Sequence, residues 1–332
     1  MPSKHISKKR TTKNKSVLKV FESFAGYGGA SFALNRLNFP FEVVGYSEID
    51  KNAIKVYEIN HPGVPNYGDI TLIDETTLPD FDLFTGGFCC QSFSSIGKNL
   101  GEYDIRGTLF NDIIRIVKYK RPNLILLENV KGLVSKTHIN TLTKIINELE
   151  DIGYDVQYKV LNSKDYNIPQ NRERVWIFAT LCKQFENVDI YPLPLEQTID
   201  FLDIVDEFPD ERLYLTQEQI LHKMDKTGID FDVEKICIIN SYHIKIKYAD
   251  YSWTLLTSMD SYNIIEPKIK KEYRVRRFSV DECYRLMGFE DGEIDFADIS
   301  YAQAIHLAGN GWDINVVSLI LQNILTIYYN CL

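Results

Sequence analysis

The segment Gly86-Gly-Phe-Cys-Cys90-Gln-Ser-Phe-Ser94 places a thiol in a Gly- and Ser-rich loop just past an apolar run, Phe81 to Thr85. A cysteine in that setting is exposed and mobile, unlike a core cysteine, and this suits a nucleophile. The adjacent pair Cys89–Cys90 also fits a vicinal-thiol redox or metal-binding role. Glu128-Asn-Val130 closes a second apolar run, Asn123 to Leu127, so it aims an acid at the same end of the fold. A general acid fits there, and so does an ordinary acid at a helix start. In Gln170-Asn-Arg172-Glu-Arg174 the two arginines alternate ahead of the apolar stretch Val175 to Ala179, which puts both on one face of a strand. Such a pair suits phosphate or carbonyl recognition; a salt-bridged surface strand is the plainer reading.

A further set of residues suits a nucleotide-like ligand. Gly26-Tyr-Gly28-Gly29 follows the first apolar run and opens a helix. Glycines there let the backbone approach a ligand, and a helix N-terminus favours a carboxylate or phosphate. The turn departs from the dinucleotide fingerprint, because Ser31 takes the place of the third glycine. Glu48 ends the second strand, where an acid can grip ribose hydroxyls. Asp69, after Tyr67-Gly68, can accept a hydrogen bond from an adenine amine, although aspartate is also common in plain turns.

The elements that must hold these residues alternate. Val17 to Phe24, Phe41 to Tyr46, Phe81 to Thr85 and Asn123 to Leu127 read as strands. Helical faces fall between them, as with Leu109, Ile113, Ile116 and Val117, and then Leu142, Ile145, Ile146 and Leu149. Such alternation predicts an α/β fold with a doubly wound, mostly parallel sheet covered on both faces. Ligands of such sheets bind at the carboxyl ends of the strands, and each segment named above sits just past a strand end. After Cys182 the rhythm breaks, and the alternation at Ile244, Ile246 and Tyr248 suggests strands. Ser279-Val-Asp-Glu282 has the form of a capping box for a helix stopping at Gly288, and a last helix spans about Val316 to Ile327.

Composition sets the outer limits. The 332 residues carry a net charge of −9, which is not the basic footprint expected of a nucleic-acid binder. The N-terminal Lys4, Lys8, Lys9, Arg10, Lys13 and Lys15 contribute six positive charges, so the rest of the chain carries −15 once they are taken from −9. A second basic run holds Lys268, Lys270, Lys271, Arg274, Arg276 and Arg277. Phosphate contacts are short-range, so a local basic cleft is compatible with an acidic whole. No apolar run nears the ~20 residues of a membrane span, and the polar, basic start lacks a secretory apolar core, so a soluble intracellular protein is expected. The six cysteines show no zinc-like spacing, and apart from the adjacent pair they read as reduced, mostly buried thiols.

Order carries more than any single motif. Phe24-Ala-Gly-x-Gly-Gly, Glu48, Gly68-Asp69, Cys90-Gln91, Glu128-Asn-Val130, Gln170-x-Arg172-x-Arg174, Arg285-x-Met-Gly288-Phe and Gly309-Asn310 resemble, in that order, the DNA cytosine-5 methyltransferases of bacterial restriction–modification systems. The likeness runs from about Lys19 to Val317 and is nearest to the compact members. It implies a Rossmann-like S-adenosylmethionine methyltransferase fold with a small target-recognition domain. The division implied is a basic flexible tail at 1–16, a catalytic and cofactor-binding domain at 17–181, target recognition at 182–270, a hinge at 271–304 and a C-terminal helix returning at 305–332.

The resemblance assigns roles as well. Phe24, Gly26, Gly28, Gly29, Glu48, Ile49, Asp69, Ile70, Leu109 and Asn310 would surround S-adenosylmethionine, with Glu48 on the ribose and Asp69 and Ile70 at the adenine. The Cys90 thiolate would attack C6 of a cytosine flipped out of duplex DNA, and C5 would then take the methyl group. Glu128 would hold N3 and the exocyclic amine, Arg174 the O2 edge, and Arg172 neighbouring phosphate and loop. Gln91, Ser94, Thr254 and Leu255 would contact DNA. No metal is implied. The implied protein is a monomeric cytoplasmic enzyme, nucleoid-associated if bacterial, with a cognate restriction endonuclease acting separately.

Three positions depart from the family pattern. Cys89 stands where the family writes proline, which frees one φ angle and restores an N–H before the nucleophile. Trp312 is bulkier than the residue usual there, and Ile49 replaces a position that is often aromatic. The expectation is an active but slow enzyme. A catalytically impaired DNA-binding relative and an RNA cytosine-5 methyltransferase are the alternatives.

Overall fold

The computed structural model describes residues 17–88, 109–240, 245–248, 250–258 and 262–330. The expected site residues Cys89, Cys90, Gln91 and Ser94 lie outside the described residues, as do the basic tail, Ile244 and Cys331. The first half alternates as expected: β1 (Leu18–Ser23), α1 (Gly29–Arg36), β2 (Phe41–Ser47), α2 (Lys51–Asn60), β3 (Leu83–Gly86), α3 (Leu109–Lys120), β4 (Leu124–Val130) and α4 (Ile139–Asp151). Then follow β5 (Asp155–Asn162), β6 (Gln170–Asn171) and β7 (Glu173–Thr180). The remainder holds α5 (Gln217–Thr227), β8 (Cys237–Asn240), β9 (Lys245–Lys247), β10 (Ser252–Trp253), β11 (Tyr262–Ile269), β12 (Glu272–Arg276), α6 (Val280–Arg285), α7 (Tyr301–Asn310) and α8 (Ile314–Asn330).

Six strands form one sheet in the order β2-β1-β3-β4-β7-β5. Pairing is parallel from β2 through β4, while β7 runs antiparallel to both β4 and β5. The sheet is therefore mostly parallel, with an antiparallel strand let into one side. Its inner strands are buried on both faces, which is why Leu-Ile-Leu-Leu in β4 reads as a continuous apolar run. Period-two alternation still divides them. Leu124, Leu126, Trp176 and Phe178 face α1 and α8, whereas Ile125, Leu127, Val175 and Ile177 face α3 and α4. From β1 the chain passes first to β2 on one side and then to β3 on the other. That reversal opens a crevice beyond the carboxyl ends of β1 and β3.

A second sheet, β12-β11-β8-β9, is wholly antiparallel. Ile220 of α5 packs with Phe231, Cys237, Ile239, Ile265 and Val275 in a separate small core on it. The expected boundary at Lys270 falls inside the β11–β12 hairpin, whose turn residues Lys270 and Lys271 have φ of 50° and 72°. Pairing of β12 with β11 carries this sheet to Arg276. The capping box of Ser279 and Glu282 opens α6 as expected. Cys237 and Cys283 are buried and Cys182 is half-buried; all three are free thiols. Among the described residues no helix is long and apolar enough to cross a membrane.

Candidate active site

The glycine turn is built by backbone geometry and one carboxylate. Phe24, Gly26 and Gly28 have φ of 50°, 58° and 89°, so the chain reverses sharply between β1 and α1. At Gly28 a Cβ would lie 2.4 Å from His61 Nε2, so only glycine fits. Glu48 ties this turn to the end of β2: Oε2 accepts from Gly26 N at 2.9 Å, and Oε1 accepts from Ile49 N and Asp50 N at 2.8 and 2.9 Å. Asp50 in turn caps α2 through Asn52 N and Ala53 N. The turn, the end of β2 and the start of α2 are thus one hydrogen-bonded unit.

Across the crevice, the end of β4 meets the arginines ahead of β7. Val130 pairs with Arg174 and Asn129 with Val175, a register that sets Glu128 beside Arg174. Arg174 Nε lies 2.9 Å from Glu128 Oε1. Burial raises the Glu128 carboxyl above the usual glutamate range, opposed by the Arg174 and Arg172 charges. Asn129 Nδ2 donates to the Phe88 carbonyl at 3.2 Å and so fastens the chain just before the Cys89–Cys90 loop. Arg172 is only 2% exposed. Its Nη2 donates to the carbonyls of Gly309 and Gly311, at 3.1 and 2.7 Å. In this arrangement Arg172 holds the turn between α7 and α8.

Together these parts line a crevice of about 370 Å³. Of the expected site residues, Phe24, Gly26, Gly29, Glu48, Glu128, Arg172, Arg174 and Asn310 line it. The other expected residues among those described stand apart from its lining. Gly28 faces His61, and Ile49 is 68% exposed. Ile70 is buried in the core, and Leu109 packs against that core at the start of α3. Asp69 caps a short turn, its carboxylate accepting from Thr71 N at 2.9 Å and Thr71 Oγ1 at 2.8 Å. Thr254 and Leu255 are stitched to the arginine segment: Thr254 Oγ1 donates to the Asn171 carbonyl at 2.6 Å, and Leu255 N donates to Gln170 Oε1 at 2.8 Å. Leu255 is 5% exposed, so its present role is packing.

Three of the six residues of the late basic run, Lys268, Arg274 and Arg276, pair with carboxylates. Arg276 is fully buried against Glu282 and Glu266, Arg274 pairs with Glu266 at 3.1 Å, and Lys268 with Asp232 at 2.9 Å. Those residues brace the small sheet.

Among the lining residues not foreseen as site residues are Glu22, Tyr27 and Trp312. Glu22 is 2% exposed, receives a hydrogen bond from Ser31 Oγ, and is pushed by burial up to about 7. Its signal was an acid inside a strand buried on both faces. Trp312 stands over Gly87, where a Cβ would come 3.0 Å from the indole Nε1. It meets Trp176 edge-on with centroids 5.0 Å apart.

A model of the C-5 cytosine-specific DNA methylases matches residues 18–326, and so nearly the whole chain. The chain belongs to the C-5 cytosine-specific DNA methylase family. Among its relatives, the type II methyltransferase M1.ScrFI of Lactococcus lactis subsp. cremoris is 34% identical over 316 residues, covering 93% of this chain and 78% of that protein. The type II methyltransferase M.HhaI of Haemophilus parahaemolyticus is 34% identical over 324 residues, covering 92% and 94% respectively. The crystal structure of S. pombe Dnmt2 methyltransferase shares the fold with a TM-score of 0.72 at 22% identity, covering 94% of this chain and 99% of that one. Membership makes this chain a DNA cytosine-5 methyltransferase, with DNA as its substrate.

Proposed function

We propose that this family member transfers a methyl group from S-adenosylmethionine to C5 of a cytosine flipped from a specific short duplex sequence. The observation that carries the reading is the Glu128–Arg174 pair, placed across one crevice from the glycine turn and Glu48 and fastened by Asn129 to the root of the Cys90 loop.

The crevice suits the cofactor. Its volume lies within the roughly 300–1,000 Å³ of small-molecule sites. A Cβ on Gly26 would meet nothing within 4 Å, so that turn presents bare backbone to open space. Glu48 Oε2 accepts one backbone N–H, which leaves a lone pair for a ribose hydroxyl. Phe24, Gly26, Gly29 and Asn310 would line the rest of the site, with Ile49, Asp69, Ile70 and Leu109 at its adenine end. Bound there, S-adenosylmethionine supplies an electrophilic methyl group.

The protein's own work is on the cytosine. A Cys90 thiolate adds to C6, which makes C5 nucleophilic; after methylation, loss of the C5 proton expels the thiolate and restores the ring. Glu128, its carboxyl raised by burial, is suited to carry a proton at N3 while accepting from the exocyclic amine. Arg174 orients Glu128 and supplies a cation for the O2 edge. Gln91, Ser94, Thr254 and Leu255 belong to the segments proposed to contact DNA.

Both relatives described above are type II methyltransferases, which supports a modification role beside a separate restriction endonuclease. We place the enzyme in the cytoplasm, associated with the nucleoid, as a monomer. We assign target recognition to the smaller sheet, which runs past the boundary expected at Lys270 to Arg276. The test is to express the protein, sequence its host DNA for 5-methylcytosine, and compare wild type with Cys89→Pro. Methylation at one short sequence, kept or raised by Cys89→Pro, supports the reading. Activity only in Cys89→Pro makes the natural chain an impaired relative, and methylation of RNA alone overturns the assignment.

A further inference from the structure

Asp313 and Arg172 are both buried, line one small pocket, and each keeps one polar atom without a hydrogen-bond partner. Asp313 is 3% exposed; its Oδ1 caps α8 by accepting from Asn315 N at 2.9 Å and Val316 N at 3.2 Å. Its Oδ2 has no hydrogen-bond partner, and neither does Arg172 Nη1, although both atoms are buried. Such groups are costly to leave unpaired in a low-dielectric interior. Both residues line one small pocket of about 10 Å³, together with Ser163, Glu128, Arg174 and Trp176. Leu161 and Val316 supply apolar wall, so the polar partners for a single water there are Asp313 Oδ2 and Arg172 Nη1, in a space near the least, about 10–15 Å³, that holds one.

The pair brackets the residue beside the catalytic loop. Arg172 Nη2 holds the Gly311 carbonyl, Tyr27 OH donates to the Trp312 carbonyl at 2.5 Å, and Asp313 is pinned as the cap of α8. Three successive residues are therefore anchored to buried groups, and the side chain between the outer two is the Trp312 indole against Gly87. A Cβ on Gly311 would lie 2.1 Å from the Tyr27 ring, and one on Gly87 would lie 3.4 Å from Glu128 Oε2. Trp312 is thereby held against Gly87, two residues before Cys89.

We propose that Asp313 is a positioning residue for methyl transfer, acting through one water molecule on the Arg172 guanidinium, and through Arg172 on Trp312 and the Glu128–Arg174 pair. The negative charge also offsets the burial and the Arg174 repulsion that lower the Arg172 proton affinity, alongside Glu128 and Tyr27. In its functional meaning the assignment rests on the proposed function above.

Asp313→Asn separates charge from cap, because Asn and Asp cap helices equally well. The expected result is a kcat lower by roughly tenfold or more, since small misplacements near reacting groups are costly, with KM for DNA and the melting temperature held near wild type. Arg172→Lys combined with Asp313→Asn should be no slower than the slower single variant, because both act through one guanidinium. A crystal structure of the full chain should show one water within hydrogen-bonding distance of Asp313 Oδ2 and Arg172 Nη1. A kcat for Asp313→Asn close to wild type, fully additive losses, or a dry pocket would overturn the proposal. If the wild type methylates no DNA, the proposed function fails, while the crystallographic water still decides whether this link exists.

Discussion

Glu22 lies in the middle of the structure and carries a measurable penalty. Its carboxyl is raised from 4.5 to about 7, first by burial and against the hydrogen bonds from Ser31. A folded-state value above the unfolded one means that the native state prefers the protonated form. The associated stability is present below pH 4.5 and is lost as pH rises through about 7. The rise from 4.5 to about 7 corresponds to roughly 3 kcal/mol at pH 8, at about 1.36 kcal/mol per pH unit. The unfolding entropy of a chain this long is about 0.7 kcal/mol/K, so the shift in melting temperature is about 4 °C. Glu22→Gln keeps an acceptor for Ser31 Oγ and removes the charge. Its melting temperature should equal wild type at pH 4.5 and exceed it by about 4 °C at pH 8. The comparison must be a difference between variants, because His61 has the opposite slope: burial lowers it to about 4, so its contribution is lost as pH falls. A difference that stays flat from pH 4.5 to 8 would refute the desolvation argument for Glu22.

Other perturbations follow from the same geometry. Gly28→Ala must place a methyl group 2.4 Å from His61 at φ 89°, whereas Gly63→Ala at φ 84° meets nothing within 4 Å. Both should lose about 1–2 kcal/mol of backbone preference, and thermal scans should show a clearly larger loss at Gly28. Glu282→Gln removes a charge partner from the fully buried Arg276 and should cost about 3–5 kcal/mol in a urea titration. Arg174→Lys keeps the charge but loses the 2.9 Å contact with Glu128; kcat should fall by about 10²-fold with a smaller change in KM for DNA. Weaker binding with kcat unchanged would mean that Arg174 only binds substrate and would contradict its role in transfer.

Much of this was legible because buried parallel strands write themselves as apolar runs. The runs read to Phe24, Thr85 and Leu127 located the strands that end at Ser23, Gly86 and Val130, and the crevice opens beyond them. The pairing of Glu128 with Arg174 was implied only by resemblance, because antiparallel register between β4 and β7 leaves no local mark. Helix α5 escaped notice because Ile220 is its one buried residue, although the box of Thr216 and Gln219 marks its start. The basic run near Arg276 read as a nucleic-acid surface, since its partners Glu266 and Glu282 lie six to ten residues away on other turns of the chain. Asp313 was not singled out in the sequence, because its place beside Arg172 comes from the packing of α8 against the arginine segment. The Cys89–Cys90 loop lies outside the described residues, so its chemistry still rests on the sequence.

The measurement closest to the central claim is transfer of a labelled methyl group from S-adenosylmethionine to duplex DNA, followed by base analysis, for wild type and Cys90→Ser. The account expects all of the label in 5-methylcytosine from wild type and none from Cys90→Ser. Label on an exocyclic nitrogen, or undiminished transfer by Cys90→Ser, would contradict it.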